Sequence, residues 1–321
     1  MAGRLRKRAL SHCYFGRMQP LDPHNPKHLN AIVSVWNAAC GDEFSISPRA
    51  AQFNIQPNTG ITQSGRVVFE GDQPIGFVVA KADTRSHLGW IEALAVTPSH
   101  QRRGVGAQMM AWGQAWLAGQ ACAKIRIGGG IRPFAPGVPV ALNTQGFFAR
   151  HGYTKAKSDW DVARDISGYV PRGAYDNIRP AAPSDLPALR EFFARSFANR
   201  WQYEFEELVR DGGNISDYLV LWTERGVDGF VQTTFEQESY RPIDRFFMRS
   251  LPRPHGQLGP LGVSADLRGK GHGLAMIDAA IAHLQKRGAK GCVIDWTDLL
   301  GLYGKFGFTP FHEYAIMTKA M

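Results

Sequence analysis

Residues 90–106 read Trp-Ile-Glu-Ala-Leu-Ala-Val-Thr-Pro-Ser-His-Gln-Arg-Arg-Gly-Val-Gly, and residues 257–273 read Gln-Leu-Gly-Pro-Leu-Gly-Val-Ser-Ala-Asp-Leu-Arg-Gly-Lys-Gly-His-Gly. In both stretches a short apolar run ends in a polar turn, and a glycine-rich segment then leads into a helical pattern. Val96 aligns with Val263, and Gln101 aligns with Arg268. The chain therefore contains one strand, loop and helix unit twice.

The alignment continues beyond this unit. A second strand is predicted at 123–127 and 291–295, and a turn with aromatic residues around a glycine follows at 147–153 and 302–308. The glycine loops at Gly104 and Gly271 are farther apart in the chain than the later turns at Gly152 and Gly307, so the first copy carries a short insertion. The insertion lies around 128–139, where Gly and Pro indicate irregular backbone. A rigid turn and a pocket wall beside the first site are both consistent with it.

Two domains of ordinary size are expected from a chain of 321 residues. We place their boundary near Pro171 to Gly173, which gives a first domain at 1–172 and a second at 173–321. Residues 15–22 and 177–185 resemble each other, and each segment is predicted to be a strand that leads into a helix. A content of 44% hydrophobic and 20% charged residues is typical of a globular protein.

Several classes of protein are disfavoured by composition. The longest apolar runs are far shorter than the roughly 20 residues that span a bilayer, and residues 1–17 lack the apolar centre of a secretory signal. We therefore expect a cytoplasmic protein without a membrane partner. The four cysteines lack the spacing of a metal site or a disulfide framework, so we interpret them as buried thiols and expect no metal; they are Cys13, Cys40, Cys122 and Cys292.

The formal net charge is +9, which raises the question of nucleic-acid binding. The basic residues are dispersed, and no basic stripe with interleaved aromatic residues is present. Attraction of an anionic cofactor explains the charge equally well. We therefore expect no nucleic-acid partner.

A glycine-rich turn between a strand and a helix directs backbone N–H groups and the positive end of the helix toward one point, which suits a pyrophosphate. Both loops have the pattern Q/R-x-x-G-x-G/A, which places glycines at 104 and 106 and at 271 and 273. A Rossmann dinucleotide site is the main competitor. Neither loop has the full G-x-G-x-x-G with an acidic residue about 20 positions later.

This pattern resembles the pyrophosphate-binding motif of the GNAT superfamily of acyl-CoA-dependent acetyltransferases, and the two copies cover most of the chain. The resemblance implies an α/β protein of two tandem GNAT domains, each a mixed, mostly antiparallel sheet flanked by helices. It also implies that acetyl-CoA lies where two parallel strands splay apart and that an amine attacks it directly. The residues it assigns to the cofactor are Leu94, Val96, Gln101, Arg102, Arg103, Gly104, Gly106 and Ala107 in the first copy and Leu261, Val263, Arg268, Gly269, Gly271, His272 and Gly273 in the second.

The residues that the resemblance assigns to catalysis are divided between the copies. Many family members have a tyrosine before the final turn that protonates the leaving thiolate, and this position is Tyr303 in the second copy but Phe148 in the first. Family members often have a glutamate base on the strand before the loop, which is Glu92 in the first copy but Gly259 in the second. Because a phenyl ring has no proton to donate, we favour the second domain as catalytic and give the first a supporting role.

Other polar residues are weaker candidates. Asp295, Asp298 and His255 are the nearest alternatives for the base in the second copy, and Asp295 is also a candidate for acceptor binding. Asp298 aligns with Asn143, which favours a helix cap instead.

Four ring-bearing residues have other expected roles. Phe134 and Trp296 are candidates for pocket lining, with a core role favoured for Trp296. His100 and His272 lie within the two loops, so we expect them near the phosphates without a role in proton transfer.

The acceptor is expected to be a small-molecule primary amine, since the insertion and the second domain should narrow access to the site. The tandem arrangement also resembles that of mycothiol synthases, but no motif for an acceptor site supports assigning their substrate to this chain. A non-catalytic acyl-CoA-binding or sensing protein is the alternative, because Glu92 and Tyr303 lie in different copies. Sequence gives no indication of an oligomeric state.

Overall fold

A computed structural model describes residues 16–236, 238–243, 246 and 250–321. Cys13 and the basic opening segment lie outside these residues. The elements of the first copy, in chain order, are β1 (Arg17–Pro20), α1 (Pro26–Cys40), α2 (Pro48–Ile55), β2 (Thr62–Glu70), β3 (Gln73–Asp83), β4 (Leu88–Val96), α3 (Val105–Gly119), β5 (Lys124–Ile127), β6 (Val138–Pro139), α4 (Gln145–Arg150) and β7 (Thr154–Asp165).

The second copy repeats this order. Its elements are β8 (Ile178–Pro180), α5 (Leu186–Ser196), α6 (Arg200–Arg210), β9 (Tyr218–Thr223), β10 (Gly226–Phe235), β11 (His255–Val263), α7 (His272–Lys286), β12 (Gly291–Thr297), α8 (Leu300–Gly304) and β13 (Thr309–Ala320). Within the described residues only β6 has no counterpart, because it belongs to the insertion. The predicted internal repeat is confirmed.

The strands of the described residues form one continuous sheet of 13 strands. Its order is β1-β2-β3-β4-β5-β13-β7-β12-β11-β10-β9-β8, with β6 paired to β13 beside this path. The pairs β4/β5 and β11/β12 are parallel, and the other pairs are antiparallel. The predicted mixed, mostly antiparallel sheet is confirmed, and the order is symmetric about its centre.

The centre of the sheet is the antiparallel pair of β7 and β13. Thr309 pairs with Ala163, and their counterparts in the other copy, Thr154 and Thr318, pair with each other in the same way. The last strand of each copy has crossed to the other half: β13 pairs with β5, and β7 pairs with β12. The boundary at residue 172 stays a prediction, but each half of the sheet is completed by a strand from the other copy.

Helices cover both faces of the sheet. The front face carries α1 and α2 in the first half and α5 and α6 in the second, whereas the back face carries α3 and α7. Both faces are apolar because β3 and β10 are buried along nearly their whole lengths. Among the described helices, none has the length and apolar character required to cross a bilayer. Cys122 and Cys292 are buried free thiols, while Cys40 is half-buried.

The exchange of strands predicts that the two halves unfold together. Ala315 lies in the middle of β13 and is 1% exposed. Because an unpaired buried carboxylate costs several kcal/mol, Ala315→Asp should lower the free energy of unfolding by about 3 kcal/mol or more. Urea denaturation followed by tryptophan fluorescence should show one transition at a lower midpoint. Ala320→Asp, at the exposed end of the same strand, is the matched control; two separate transitions, only one of them shifted, would contradict the prediction.

Candidate active site

The two glycine loops have the same backbone conformation. Gly104 and Gly271 precede α3 and α7 with φ angles of 90° and 89°, in the left-handed region. Two residues earlier, Arg102 and Gly269 have φ angles of 62° and 75°. Turns of this kind direct successive N–H groups toward one point at the positive end of a helix. Each loop therefore has the backbone geometry that an anion-binding site requires.

The start of each loop is also held in the same way. Gln101 Nε2 donates a hydrogen bond to Val96 O at 3.0 Å, and Arg268 Nε donates one to Val263 O at 3.2 Å. These contacts join the loop to the end of the preceding strand, β4 or β11. The alignment of Gln101 with Arg268 therefore corresponds to a shared structural role.

The second loop has space for the pyrophosphate of an acyl-CoA. A Cβ atom added to Gly271 or Gly273 would meet no protein atom within 4 Å. Gly273 lies in the first turn of α7 without a positive φ, so a glycine here leaves open a space that a side chain would fill. In the first loop, a Cβ on Gly106 would lie 3.5 Å from the Phe147 ring. The second loop is the more open of the two.

The other residues assigned to the cofactor surround these loops. Leu94 and Leu261 are half-buried on the back face, His272 is half-buried at the start of α7, and the exposed residues are Arg102, Arg103, Ala107 and Gly269. His100, which we expected near the phosphates, is buried, and its Nε2 lies 3.1 Å from Glu70 Oε2. Its imidazole therefore packs at the end of β4.

Each half contains a cleft between two parallel strands. β4 and β5 pair as far as Ile91 and Ile127, and β11 and β12 pair as far as Gln257 and Val293. Beyond these residues the strands separate, and β4 has a bulge at Glu92. The two glycine loops lie at the same end of the sheet as the separated strands, since each loop follows directly from β4 or β11.

The front of the first cleft is filled by residues 128–139, which we call the plug. The Phe134 ring is fully buried, 5.3 Å from the Trp36 ring and 6.0 Å from the Phe77 ring. The expectation that Phe134 lines a pocket is therefore wrong, because its ring completes the core under α1. The insertion occupies the space where an acceptor for the first cleft would enter.

Buried charges hold the plug. Glu92 is 3% exposed, and its Oε2 accepts a hydrogen bond from Gly130 N at 3.0 Å. Lys81 is fully buried, and its Nζ donates to Ile131 O at 2.6 Å and to Asn54 O at 2.9 Å. Burial lowers the pKa of Lys81 to about 8 against the opposing charge of Glu92, and burial raises the pKa of Glu92. Both side chains are thus engaged with the plug.

The front of the second cleft contains a pocket. This pocket, which we call the small pocket, encloses about 300 Å³, part of it open to solvent, and is lined by Gln257, Val293, Asp161, Asp295, Ile243, Phe246 and Pro136 of the plug. Gln257 and Asp295 face the front because their neighbours Leu258 and Ile294 pack against α7 at the back. Acidic and amide side chains therefore lie where an acceptor amine would meet the separated strands.

The small pocket has unused hydrogen-bonding capacity. Gln257 is 2% exposed, and its Nε2 has no partner among the described residues. Thr234, which pairs with Gln257 across β10 and β11, likewise has an Oγ1 without a partner in the described part of the chain. Buried polar groups without partners are costly, so a ligand with hydroxyl or amine groups is expected to complete them.

Asp295 and Asp161 form the acidic wall of the small pocket. Asp295 Oδ2 lies 3.0 Å from Arg241 Nη2. Asp161 accepts hydrogen bonds from Trp296 N at 3.0 Å and from the Tyr314 hydroxyl at 2.6 Å. Burial raises the pKa of Asp161, and the negative charge of Asp295 acts in the same direction. Two neighbouring carboxyl groups in this pocket favour a cationic group beside them.

Tyr303 and Phe148 occupy equivalent positions. The Tyr303 ring packs edge-on against Phe308 at 6.3 Å, and the Phe148 ring packs edge-on against Tyr153 at 6.4 Å. The tyrosine and the phenylalanine have exchanged places between the copies. Burial raises the pKa of Tyr303 to about 12, with a contribution from Asp295, so the phenol keeps its proton at neutral pH.

The remaining candidates are not at the cleft. His255 is buried at the start of β11, where its Nε2 lies 3.0 Å from Leu251 O. Asp298 forms an exposed ion pair with Lys157 at 2.9 Å, and the Leu299 amide donates to Thr297 instead, so the predicted capping role of Asp298 is wrong.

Trp296 is half-buried between the guanidinium groups of Arg126 and Arg200, at 4.9 and 4.3 Å, rather than in the core. Asp161 and Gln257 of the small pocket, and Arg241 beside it, are not among the candidates from sequence. For Asp161 a signal exists, because an acid interrupts a buried strand between Trp160 and Val162. For the other two, sequence gives no such signal.

Comparison with known protein families identifies the class of protein to which the chain belongs. The sequence model of the family described as "Acetyltransferase (GNAT) family" matches residues 29–136 and again residues 186–308. Together these regions make up more than half of the chain. The protein is an acyltransferase whose fold is duplicated, as both matched regions carry a glycine loop and a cleft. The chain belongs to the GNAT acetyltransferase family.

Solved structures share the duplicated fold. A GCN5-related glucosamine N-acetyltransferase region of a fungal multidomain GH3 β-N-acetylglucosaminidase has a TM-score of 0.81 at 22% identity; the match covers 94% of this chain and 38% of that one, so this chain spans about two fifths of its length. A tandem GNAT protein from the clavulanic acid pathway has a TM-score of 0.69 at 10% identity, covering 95% and 98%. A GCN5-related N-acetyltransferase from Sphaerobacter thermophilus has a TM-score of 0.62 at 15% identity, covering 95% of both chains. Among curated proteins, the sequence has no match.

The open space at Gly273 predicts the effect of filling it. Gly273→Leu should weaken CoA binding to the second loop about tenfold or more in calorimetry, because the side chain occupies the space for phosphate, while leucine favours the helix over glycine. Gly119→Leu is the matched control, since Gly119 is also helical with open space around it but lies at the far end of α3. An unchanged isotherm for Gly273→Leu would exclude the second loop as the cofactor site.

Proposed function

We propose that the second half transfers the acetyl group of acetyl-CoA to the primary amine of a small molecule, and that this acceptor is an amino sugar. The observation that carries the proposal is the difference between the two clefts. The front of the first cleft is filled by the plug, whereas the front of the second contains a pocket lined by Asp295 and by Gln257, whose Nε2 has no partner among the described residues.

The polarity of the small pocket supports an amino sugar. Asp295 and Asp161 suit an ammonium group, and the amide of Gln257 suits hydroxyl groups, which both donate and accept hydrogen bonds. The fungal relative is named as a glucosamine N-acetyltransferase region, which supports the same class of acceptor. A flexible lysine side chain of a protein would supply the ammonium group but not the hydroxyl groups.

Acetyl-CoA supplies an acetyl group activated as a thioester. The loop from Arg268 to Gly273 holds its pyrophosphate, and backbone N–H groups of the Leu261 to Val263 segment stabilise the negative charge that develops on the thioester oxygen. Tyr303 holds the proton that the departing thiolate requires, because its pKa of about 12 keeps the phenol protonated.

Asp295 has two functions in this proposal. Its carboxylate binds the acceptor as an ammonium ion, and it then accepts the ammonium proton directly or through a water molecule. Binding of the acceptor requires that Arg241 release at least part of its contact with Asp295, since both cations compete for the same carboxylate. Glu92 has a structural function, because its carboxylate is bound to the plug.

The proposed function is tested by thiol release from acetyl-CoA in the presence of a panel of amines. Glucosamine should be turned over faster than aliphatic monoamines and faster than a lysine-containing peptide. Binding of acetyl-CoA without turnover on any amine would contradict the proposal and favour a sensing role.

Removal of one hydroxyl tests the proton donor. Tyr303→Phe should reduce kcat about 100-fold or more, because the ring packing against Phe308 is kept while the acid is lost. The affinity for acetyl-CoA should stay within about twofold of the wild type. Phe148→Tyr is the matched reciprocal change, and it should not restore turnover in the Tyr303→Phe background. Full turnover of Tyr303→Phe would place catalysis in the first half.

Two carboxylate variants distinguish the halves. Asp295→Asn should lower kcat/KM for the amine about 100-fold, because the acceptor loses both its counter-charge and its base. Glu92→Gln should leave kcat within about threefold of the wild type, since an amide oxygen still accepts the hydrogen bond from Gly130. Loss of turnover in a folded Glu92→Gln protein, with Asp295→Asn active, would reverse the assignment.

A further inference from the structure

A second and larger pocket lies between the halves on the front face. Its volume is about 550 Å³, part of it open to solvent, and we call it the large pocket. Its walls include Phe53 of α2 and Arg132 of the plug from the first half, and Glu207 of α6 and Gln232 of β10 from the second. Both copies are required to form it.

The large pocket adjoins the small pocket. Arg241 lines the large pocket, and its guanidinium lies 3.0 Å from Asp295, which lines the small one. The plug runs along both, because Arg132 lines one and Pro136 lines the other. An acceptor bound at Asp295 can therefore extend past Arg241 into the large pocket without leaving the front face.

The charged side chains that line the large pocket already form ion pairs with neighbouring residues. Arg132 Nη2 lies 2.5 Å from Asp211 Oδ2 and 3.4 Å from Glu207 Oε2. Glu204 pairs with Arg200 at 2.7 Å. An ionic ligand group would have to break one of these pairs. The chemistry of the pocket therefore favours a neutral ligand group.

One polar group of the large pocket has no such partner. Gln232 is 6% exposed, and its side-chain amide makes no hydrogen bond to any described residue. It faces the front because its neighbour Val231 packs in the core at the back. Because an amide both donates and accepts hydrogen bonds, an amide that lines the pocket without a partner among the described residues suits a ligand with hydroxyl groups.

Aromatic rings line the same pocket. The Phe53 and Tyr240 rings pack edge-on at 5.5 Å, and the Arg132 guanidinium lies 4.8 Å from the Phe53 ring centre. Aromatic faces contact the apolar C–H surface of a ligand while an amide binds its hydroxyl groups. Together they suit a hydroxylated ring without charge.

We propose that the large pocket binds an uncharged sugar ring next to the one that is acetylated, so that the preferred acceptor is an amino sugar linked to a neutral sugar. The inference rests on the proposed function and deepens it. The reacting ring occupies the small pocket, and the neighbouring ring contacts Gln232 and Phe53. The first copy thus contributes to acceptor binding in the second.

The experiment compares two acceptors, glucosamine and a disaccharide in which glucosamine is joined by a β-1,4 bond to N-acetylglucosamine, which we call the dimer. The wild type should have the higher kcat/KM with the dimer. Gln232→Leu should lower the ratio of kcat/KM for the dimer over that for the monomer about tenfold, which is the effect of one lost hydrogen bond of about 1.4 kcal/mol. Leucine has a similar size, and no described residue loses a partner, so the fold should be kept.

Two further variants test the same preference for the dimer without relying on Gln232→Leu alone. Phe53→Ala removes a half-buried ring in the first half and should lower the same ratio. Gln257→Leu, in the small pocket, should reduce kcat/KM for both acceptors and leave the ratio unchanged. Thermal unfolding of each variant verifies that it is folded.

The outcomes separate the inference from the proposed function. Wild-type acetylation of glucosamine without preference for the dimer, or an unchanged ratio in both Gln232→Leu and Phe53→Ala, would overturn the inference and leave the proposed function in place. Acetylation of neither acceptor would overturn the proposed function, and the inference would fall with it.

Discussion

The antiparallel pair of β7 and β13 is the contact on which the rest of the structure depends. It joins the two copies at the centre of one sheet, and its symmetric register places both clefts at equivalent positions on either side. Because an antiparallel pair is related by an axis perpendicular to the sheet, the front faces of both halves lie on the same side of the molecule. This arrangement is what allows a loop of the first copy to reach the site of the second.

The plug shows how two copies of one fold acquire different functions. In the first half, the plug occupies the space that an acceptor would need. Its Phe134 ring lies in the core, and Glu92 is hydrogen-bonded to its backbone. In the second half, the same segment supplies a wall, since Arg132 and Pro136 line the two pockets. A single short insertion thus closes one cleft and shapes the access to the other. The copy with the phenol at Tyr303 is also the one with a polar pocket at its front, so two independent features favour the same half.

Much of the fold could be predicted from the sequence because it is recorded in local patterns. The glycines at 104 and 271 require a left-handed φ, and the unequal spacing of the two copies located the insertion. The exchange of β7 and β13 could not be predicted, because each strand has the same alternation whichever strand it pairs with. The site was predicted in part. Tyr303 was found by alignment, whereas Gln257 and Arg241 are brought to Asp295 by long-range packing that no local pattern records.

The position of β13 also affects the order in which the protein is completed during synthesis. The first half leaves the ribosome with β5 at an open edge, because β13, the strand that pairs with it, begins only at Thr309. Unpaired edges are prone to pair with other chains, and contacts between residues distant in sequence form slowly. The first half must therefore wait until β13 is translated before its sheet is closed, and a ribosome that stops before β13 releases a chain with that edge exposed.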